Sequence, residues 1–390
     1  MATEELIVGL DIGTTKVCAI IGTFNETGSL EIIGVGTTPS RGLRRGVVIN
    51  IESTVKSIQN AIESAELMSG REVHGVTTGI AGGHIEGINS RGVVAVTGRD
   101  REISKEDVDR VIDAAKAIVI PMDREVLHVI PQEFIVDQQG GIKNPVGMVG
   151  VRLEAEAHII TGAVTSAQNI VKCVNRAGFK VNDIVLEPLA SSKAVLTGDE
   201  RELGVLLIDL GGGTTDVLVH IEGAPYHTEV LSIGGEQVTS DLSIMLKAPL
   251  EVAEKVKKEH GCCYVPAVLE DVEVTIPGVG GRPASLTEDR LVVVGFHRSR
   301  LETVGLLAGV LAKAAADANG QIHQDPHHIS RRLRVPMTRR KGRLSSKQPR
   351  PRDSAQTLQK LPAIRLHYYA SPRPVGTVLN PLKSLLRRSR

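Results

Sequence analysis

One short pattern occurs twice in this chain, and a chain that repeats it folds as two similar halves facing one another. Asp11-Ile12-Gly13-Thr14-Thr15-Lys16 follows an apolar run at 7–10, and Asp209-Leu210-Gly211-Gly212-Gly213-Thr214-Thr215-Asp216 follows one at 205–208. Each continues into another apolar run, so each reads as strand, tight turn, strand. The chemistry of such turns is phosphate binding. Glycines let the backbone turn sharply and approach an anion without a Cβ in the way. Consecutive N–H groups then form an anion-binding nest, and the threonine hydroxyls add donors. Lys16 can neutralise a phosphate charge. An aspartate beside a phosphate would repel it, so Asp11 and Asp209 are better suited to holding water around a Mg²⁺ that bridges the phosphate oxygens. A single copy is equally a plain β-turn. Two copies in matching contexts predict a two-lobed clamp around a metal-bound nucleotide. No Walker loop is present, and no Gly-x-Gly-x-x-Gly follows a strand.

The remaining pattern is α/β alternation, which implies a sheet flanked by helices. Residues 30–36 read as a strand. Residues 52–69 read as an amphipathic helix on Val55, Ile58, Ile62, Ala65 and Leu67, capped by Ser53 or Thr54, with Leu67 and Met68 ending it in the core. Residues 73–80 form a buried strand. Residues 84–160 change character: a helix from Ser104 to about Ile118, a strand at 126–136 interrupted by Pro131, and another at 157–163. That stretch reads as a small α+β insertion. A helix at 165–177, a strand at 181–186, a helix at 188–197 and a strand at 203–210 follow. Residues 237–260 read as one or two helices, and a strand starts at Val272. His128 and His158 lie on apolar strand patterns and read as packed or hydrogen-bonded histidines rather than catalysts.

Composition narrows the setting. Hydrophobic residues make up 41% of the 390. The acidic start lacks the basic and apolar regions of a signal peptide, and no apolar run approaches the roughly 18 residues of a membrane span. The four cysteines, Cys18, Cys173, Cys262 and Cys263, form no Cys-x-x-Cys pair. These features predict a reduced, cytoplasmic setting with no zinc site. Charge is uneven: residues 321–390 hold 17 Lys and Arg against two acids, Asp325 and Asp353, while the whole chain carries only +1.

The two hairpins resemble the phosphate motifs of the superfamily of actin, DnaK-type chaperones and sugar kinases. Longer strings resemble one family in it, the bacterial cell-division FtsA proteins. These are Val126-Leu127-His128-Val129-Ile130-Pro131-Gln132-Glu133-Phe134, Gly141-Ile142-Lys143-Asn144-Pro145-Val146-Gly147, Leu186-Glu187-Pro188-Leu189-Ala190-Ser191-Ser192 and Asp199-Glu200-Arg201-Glu202-Leu203-Gly204. Val238-Thr239-Ser240-Asp241, Ala253-Glu254-Lys255-Val256-Lys257 and Gly280-Gly281-Arg282-Pro283 add to them. The resemblance covers roughly residues 5–290.

It implies an α/β, actin-like two-lobed ATPase fold, built from duplicated ribonuclease-H-like lobes with an α+β insertion subdomain. The first lobe is expected at 1–83, the insertion at 84–162 and the second lobe at 163–320, with a helical subdomain at about 222–290. It implies an ATP-binding scaffold that self-associates and links the tubulin-like partner FtsZ to the inner membrane at the septum, with weak ATPase activity at most. The protein is expected on the cytoplasmic face of that membrane, binding FtsZ near 222–290 and later division proteins through the insertion. By residue, Asp11 and Asp209 would order Mg²⁺ through water. Gly13, Thr14, Thr15 and Lys16, with Gly211, Gly212, Gly213, Thr214 and Thr215, would cradle the phosphates. Gly234 and Gly235 would lie beside the nucleotide. Glu254 and Lys257 would touch ribose and base, or form an i,i+3 pair on a solvated helix face. Glu187 would orient the attacking water, or complement a helix dipole. A chaperone ATPase or small-molecule kinase of the same fold is the alternative. The former lacks a β-rich peptide-binding domain here, and the latter lacks an aspartate base in a substrate cleft.

The C-terminal part departs from the family. The adenosine-contacting Thr-Gly-Gly-Gly expected after residue 300 is absent, and the last glutamate is Glu302. A shifted reading frame, a disordered basic tail, or a basic patch for nucleic acid or anionic membrane would each produce residues 321–390. With the scaffold reading no nucleic-acid partner is expected, and ATP binding is predicted to be weak. Leu382, Leu385 and Leu386 with Lys383, Arg387 and Arg388 are compatible with a short interfacial membrane helix.

Overall fold

The computed structural model describes residues 6–98, 100–261, 273–277, 283–287 and 364–367. The chain opens with an antiparallel meander, β1 (Ile7–Ile12), β2 (Lys16–Phe24) and β3 (Leu30–Pro39). A two-residue pair follows, β4 (Leu43–Arg44) and β5 (Val47–Val48). Helix α1 (Ile51–Ser69) is capped by Asn50, whose side chain accepts from the Ser53 N–H, and ends at left-handed Gly70. The sequence pattern puts that cap at Ser53 or Thr54, but an earlier Asn competes well for the first free amides. Val55, Ile58, Ala61, Ile62 and Ala65 are buried, as the helical spacing predicts. Leu67 and Met68 are not core: they are 86% and 65% exposed. The last turn overhangs the sheet, and Met68 Sδ receives the Val35 N–H at the edge strand. The helix lies close because a Cβ at Gly36 would stand 1.9 Å from the Ala61 carbonyl oxygen.

Strand β6 (Gly75–Ile80) pairs parallel with β1. Then comes a four-stranded antiparallel sheet in the order β7-β10-β8-β9. It comprises β7 (Glu86–Ala95), β8 (Arg124–Val136), β9 (Gln139–Ile142) and β10 (Arg152–Ala163). Helix α2 (Lys105–Lys116), with a Ser104/Asp107 capping box, packs on it over Val111, Phe134 and Leu153. Pro131 does not interrupt β8. The register slips between Glu156 and Ala157, so Gln132 bulges and the missing proline N–H is absorbed there.

Helix α3 (Val164–Arg176) leads into β11 (Lys180–Leu186), which pairs parallel with β6 and completes the sheet β11-β6-β1-β2-β3. Helix α4 (Glu187–Val195) follows directly, one residue earlier than its pattern suggests, and α5 (Gly198–Leu203) is separate. A third sheet is built from β12 (Val205–Leu210), β13 (Thr215–Ile221) and β14 (Ala224–Leu231). Both faces of β12 and β13 are buried, Leu206, Ile208, Val217 and Val219 on one side and Val205, Leu207 and Leu218 on the other. Such strands read as continuous apolar runs.

Residues 237–260 resolve into two helices, α6 (Gly235–Leu246) and α7 (Leu250–His260), packed through Leu242, Ala253 and Val256. A two-stranded pair, β15 (Glu273–Pro277) and β16 (Pro283–Thr287), comes next. Strand β17 (Ile364–His367) pairs parallel with β12 at the sheet edge, a strand that no pattern in the basic segment signals. The remaining expectations for 321–390, including the interfacial helix, lie outside the described residues. Among the described residues no helix is long and apolar enough to cross a membrane.

Candidate functional site

The two hairpins fold alike. Asp11 pairs with Cys18 and Ile12 with Val17 across the first, while Asp209 pairs with Asp216 and Leu210 with Thr215 across the second. Each turn is closed by one matching bond, Gly13 N–H to Lys16 O at 3.0 Å and Gly211 N–H to Thr214 O at 2.9 Å. The repeat is therefore register-matched residue for residue, with Asp11 and Asp209 equivalent.

The hairpins also meet. A Cβ on Gly212 would lie 2.3 Å from Thr15 Cγ2, and one on Gly213 would lie 2.6 Å from Thr14 Oγ1. The lack of side chains at 212 and 213 is what lets the turns close on each other. Behind the second turn, a Cβ on Gly234 would stand 2.4 Å from the Gly212 carbonyl. The N–H groups of Gly235 and Glu236 donate to the carbonyls of Gly211 and Gly212 at 2.9 and 2.8 Å. Lys257 Nζ donates to the Gly235 carbonyl at 3.0 Å, to Thr239 Oγ1 at 2.8 Å and to Glu254 at 2.6 Å. Glu254 and Lys257 are thus an i,i+3 pair that braces α7 against the start of α6, and the Lys257 side chain is only 16% exposed.

Four carboxyl groups gather beside these turns. Asp11 lies at the carboxyl end of β1. Glu187 lies where β11 becomes α4, close enough to β6 that a Cβ on Gly79 would meet its Cγ at 2.8 Å. Asp209 and Asp216 face each other across the second hairpin. Ligands in open α/β sheets gather at such strand ends. Burial, opposed by Lys16 and reinforced to a smaller extent by the Asp209 charge, brings the Asp11 carboxyl up to about 6. Burial and then Asp209 push Asp216 up to about 7. Glu187 is raised well above the usual carboxylate range, by burial first and then by Asp11, Asp216 and Asp209. Asp216 Oδ2 accepts from Thr214 Oγ1 at 3.2 Å, while its Oδ1 is buried without a hydrogen-bond partner. Buried carboxylates that repel one another, one with an orphaned oxygen, are a donor set that a divalent cation would balance. The residues therefore fit a magnesium-bound triphosphate. Among the described residues no three His, Cys, Asp or Glu side chains form a direct metal-binding group.

Every residue singled out from the motifs falls within this connected region. Three neighbours escape the sequence reading. Asp216 enters it only as the end of a motif, although its position opposite Asp209 follows from the hairpin count. Ser191 donates its hydroxyl to Asp209 Oδ2 at 2.6 Å. Gly46, in the turn between β4 and β5, donates its N–H to Thr14 Oγ1 at 3.1 Å. The last two meet the site only through tertiary folding, and no spacing signals them. The histidines are structural, as expected. His128 Nε2 accepts the Leu186 N–H at 3.0 Å, and His158 is buried between Asn89 and Thr228. A groove of about 570 Å³ lined by Ala167, Gln168, Val171, Lys172 and Ile184 contains none of the clamp residues.

Known proteins share these features. The family model described as the SHS2 domain inserted in FtsA matches residues 82–161, and the cell division protein FtsA model matches residues 206–364. The cell division protein FtsA of Borreliella burgdorferi is 54% identical over 283 residues, covering 72% of this chain and 68% of that protein. That of Pseudomonas aeruginosa is 45% identical over 349 residues, covering 85% and 83%. The similarity thus continues past residue 290, further than the motifs alone indicate. Among solved structures, a PilM-PilN type IV pilus biogenesis complex matches 82% of this chain and 79% of that one at TM-score 0.55 and 15% identity, a likeness of fold.

Proposed function

This chain belongs to the FtsA family of cell-division proteins, with an actin-like two-lobed α/β fold and an inserted SHS2 domain, and from that premise we propose that it is an ATP-binding scaffold linking FtsZ filaments to the inner membrane. The observation that carries the nucleotide part is the contact of Gly212 and Gly213 with Thr15 and Thr14, beside Asp11 and Asp209. Two anion-binding turns and two strand-end carboxylates share one place, which suits a single metal-bound triphosphate.

In this reading Asp11 and Asp209 hold magnesium through water, and the metal screens the phosphate charge. Gly13 to Lys16 and Gly211 to Thr215 supply amides, hydroxyls and one cation to the phosphates. Gly234 and Gly235 line the nucleotide, and Glu254 and Lys257 reach its ribose and base. Glu187, raised by burial first and then by its acidic neighbours, stands where it would orient the attacking water, with weak hydrolysis at most. The second lobe begins later than the expected residue 163: α3 and β11 share the core and sheet of the first lobe, so that lobe is 1–83 with 163–186, and the second lobe's sheet starts at β12. Residues 84–162 are the subdomain for self-association and later division proteins, at the cytoplasmic face of the septal membrane.

Calorimetry of the full chain with ATP, with and without Mg²⁺, tests the nucleotide part. Magnesium-dependent binding that Asp209→Ala abolishes is expected. Co-sedimentation with FtsZ polymers and flotation with anionic vesicles test the scaffold part. No binding to any of the three would end the reading.

A further inference from the structure

Helix α4 carries two polar groups toward the carboxyl cluster. Glu187 and Ser191 stand four residues apart and so share one helix face. A serine inside a helix commonly turns its hydroxyl back to the carbonyl four residues earlier. Ser191 instead donates to Asp209 Oδ2 at 2.6 Å, a short bond of the charge-assisted kind. The next residue fixes the helix that presents it. Ser192, 2% exposed, pairs with His220 Nε2 at 2.8 Å, and His220 is the rung partner of Val205. Adjacent hydroxyls thus pin α4 to both strands of the second hairpin, with Leu189 and Val195 packed on the Leu207 and Leu218 face between them.

We propose that Ser191 is a positioning residue for the cation: it holds one oxygen of Asp209 so that the other is presented to metal-bound water. This rests on the cleft being a magnesium–nucleotide site. A carboxylate at a strand end is otherwise free to rotate, and a water-mediated contact depends on its direction. Ser191 therefore acts on affinity through magnesium, not through the nucleotide itself.

The test is calorimetric titration of the full chain with a non-hydrolysable ATP analogue, in excess Mg²⁺ and in chelator, for wild type, Ser191→Ala and Ser191→Thr. Ser191→Ala is expected to lose about tenfold in affinity with Mg²⁺, the scale of one hydrogen bond to a charged group. Its affinity in chelator stays within about twofold of wild type. Ser191→Thr keeps the hydroxyl and restores the magnesium effect. Alanine is the better helix former but forfeits that hydrogen bond in the ligand-free protein as well, so melting temperatures are recorded alongside, and a loss confined to the Mg²⁺ titration of a still-folded variant is not one of folding. An unchanged magnesium effect in Ser191→Ala, or an equal loss with and without Mg²⁺, overturns the assignment. A wild-type chain that shows no magnesium effect would sink the nucleotide reading first and this inference with it, so the two failures are told apart.

Discussion

Gly212 is packed against Thr15, with room for a hydrogen but not a methyl: a Cβ there would lie 2.3 Å from Thr15 Cγ2. The obstructing atom ends a short side chain, so Gly212→Ala is tolerated by pushing the hairpins apart. The expected cost is about 1–3 kcal/mol of stability, the usual range for one surplus carbon in a tight contact. Loss of nucleotide affinity should accompany it. Replacing Thr15 by Ser removes the clashing methyl, so the double variant Gly212→Ala, Thr15→Ser is expected to recover most of both. Urea unfolding and ATP calorimetry on the four proteins measure this. Additive losses in the double variant would show that the hairpins are not in contact.

Asp216 makes the ligand-free protein sensitive to pH. Its folded pKa of about 7 lies above the ordinary aspartate value of 3.8, so the native state keeps a proton that the unfolded chain releases. The stabilisation is complete below the unfolded value and is lost as pH rises toward the folded one. Stability falls by up to about 1.4 kcal/mol per pH unit between those values. Asp216→Asn lacks that dependence. Urea midpoints from pH 5 to pH 7.5 should therefore show the variant gaining steadily on wild type. Parallel curves would mean that Asp216 is ionised throughout.

His158 behaves in the opposite sense. It joins the inserted sheet to β14, Nδ1 against Asn89 Oδ1 at 2.6 Å and Nε2 against Thr228 Oγ1 at 2.9 Å. The Asn89 oxygen can only accept, so Nδ1 carries the hydrogen and Nε2 accepts from Thr228. Burial, with His227 and His220 adding to it, lowers the ring from 6.5 to about 3. The native state refuses a proton that the unfolded chain takes up below 6.5. The contribution is present above that value and falls by about 1.4 kcal/mol per unit as pH drops toward the folded one. His158→Gln should flatten that acid limb. Hydrogen exchange read along β14 at pH 5 and pH 7 locates the effect, and equal protection in both proteins would disprove it.

What was legible in the sequence is what neighbours in sequence decide. The hairpins, their acids and the apolar stripe of α1 depend on short spacings, so they can be read directly. The structure adds the contacts between segments far apart. Asn50 takes the cap ahead of Ser53 and Thr54 because several polar residues there can serve. Pro131 reads as a break because a bulge opposite Glu156 and Ala157 is invisible in one strand. Leu67 and Met68 follow the helical period but lie beyond the sheet edge. Ser191 reaches Asp209 only because α4 folds back over β12, which no local pattern announces.

Lys257 offers a test between bracing and recognition. Its ammonium is held by Glu254, Thr239 and the Gly235 carbonyl, and the next amide link runs from Gly235 to Gly211 in the phosphate turn. Lys257→Met keeps the stem and removes the charge. Glu254 keeps Thr239 and Lys258, and the Gly235 carbonyl keeps Thr239, so loss of the lysine's bonds is expected to cost about 0.5–1.5 kcal/mol in urea unfolding. If the lysine only braces α6, the variant weakens binding of ATP and of inorganic triphosphate by the same factor, because only the phosphate turn is disturbed. If it also meets the ribose and base, ATP loses more than triphosphate does. The proposed role predicts the unequal loss, and equal factors in paired calorimetric titrations would confine Lys257 to the brace.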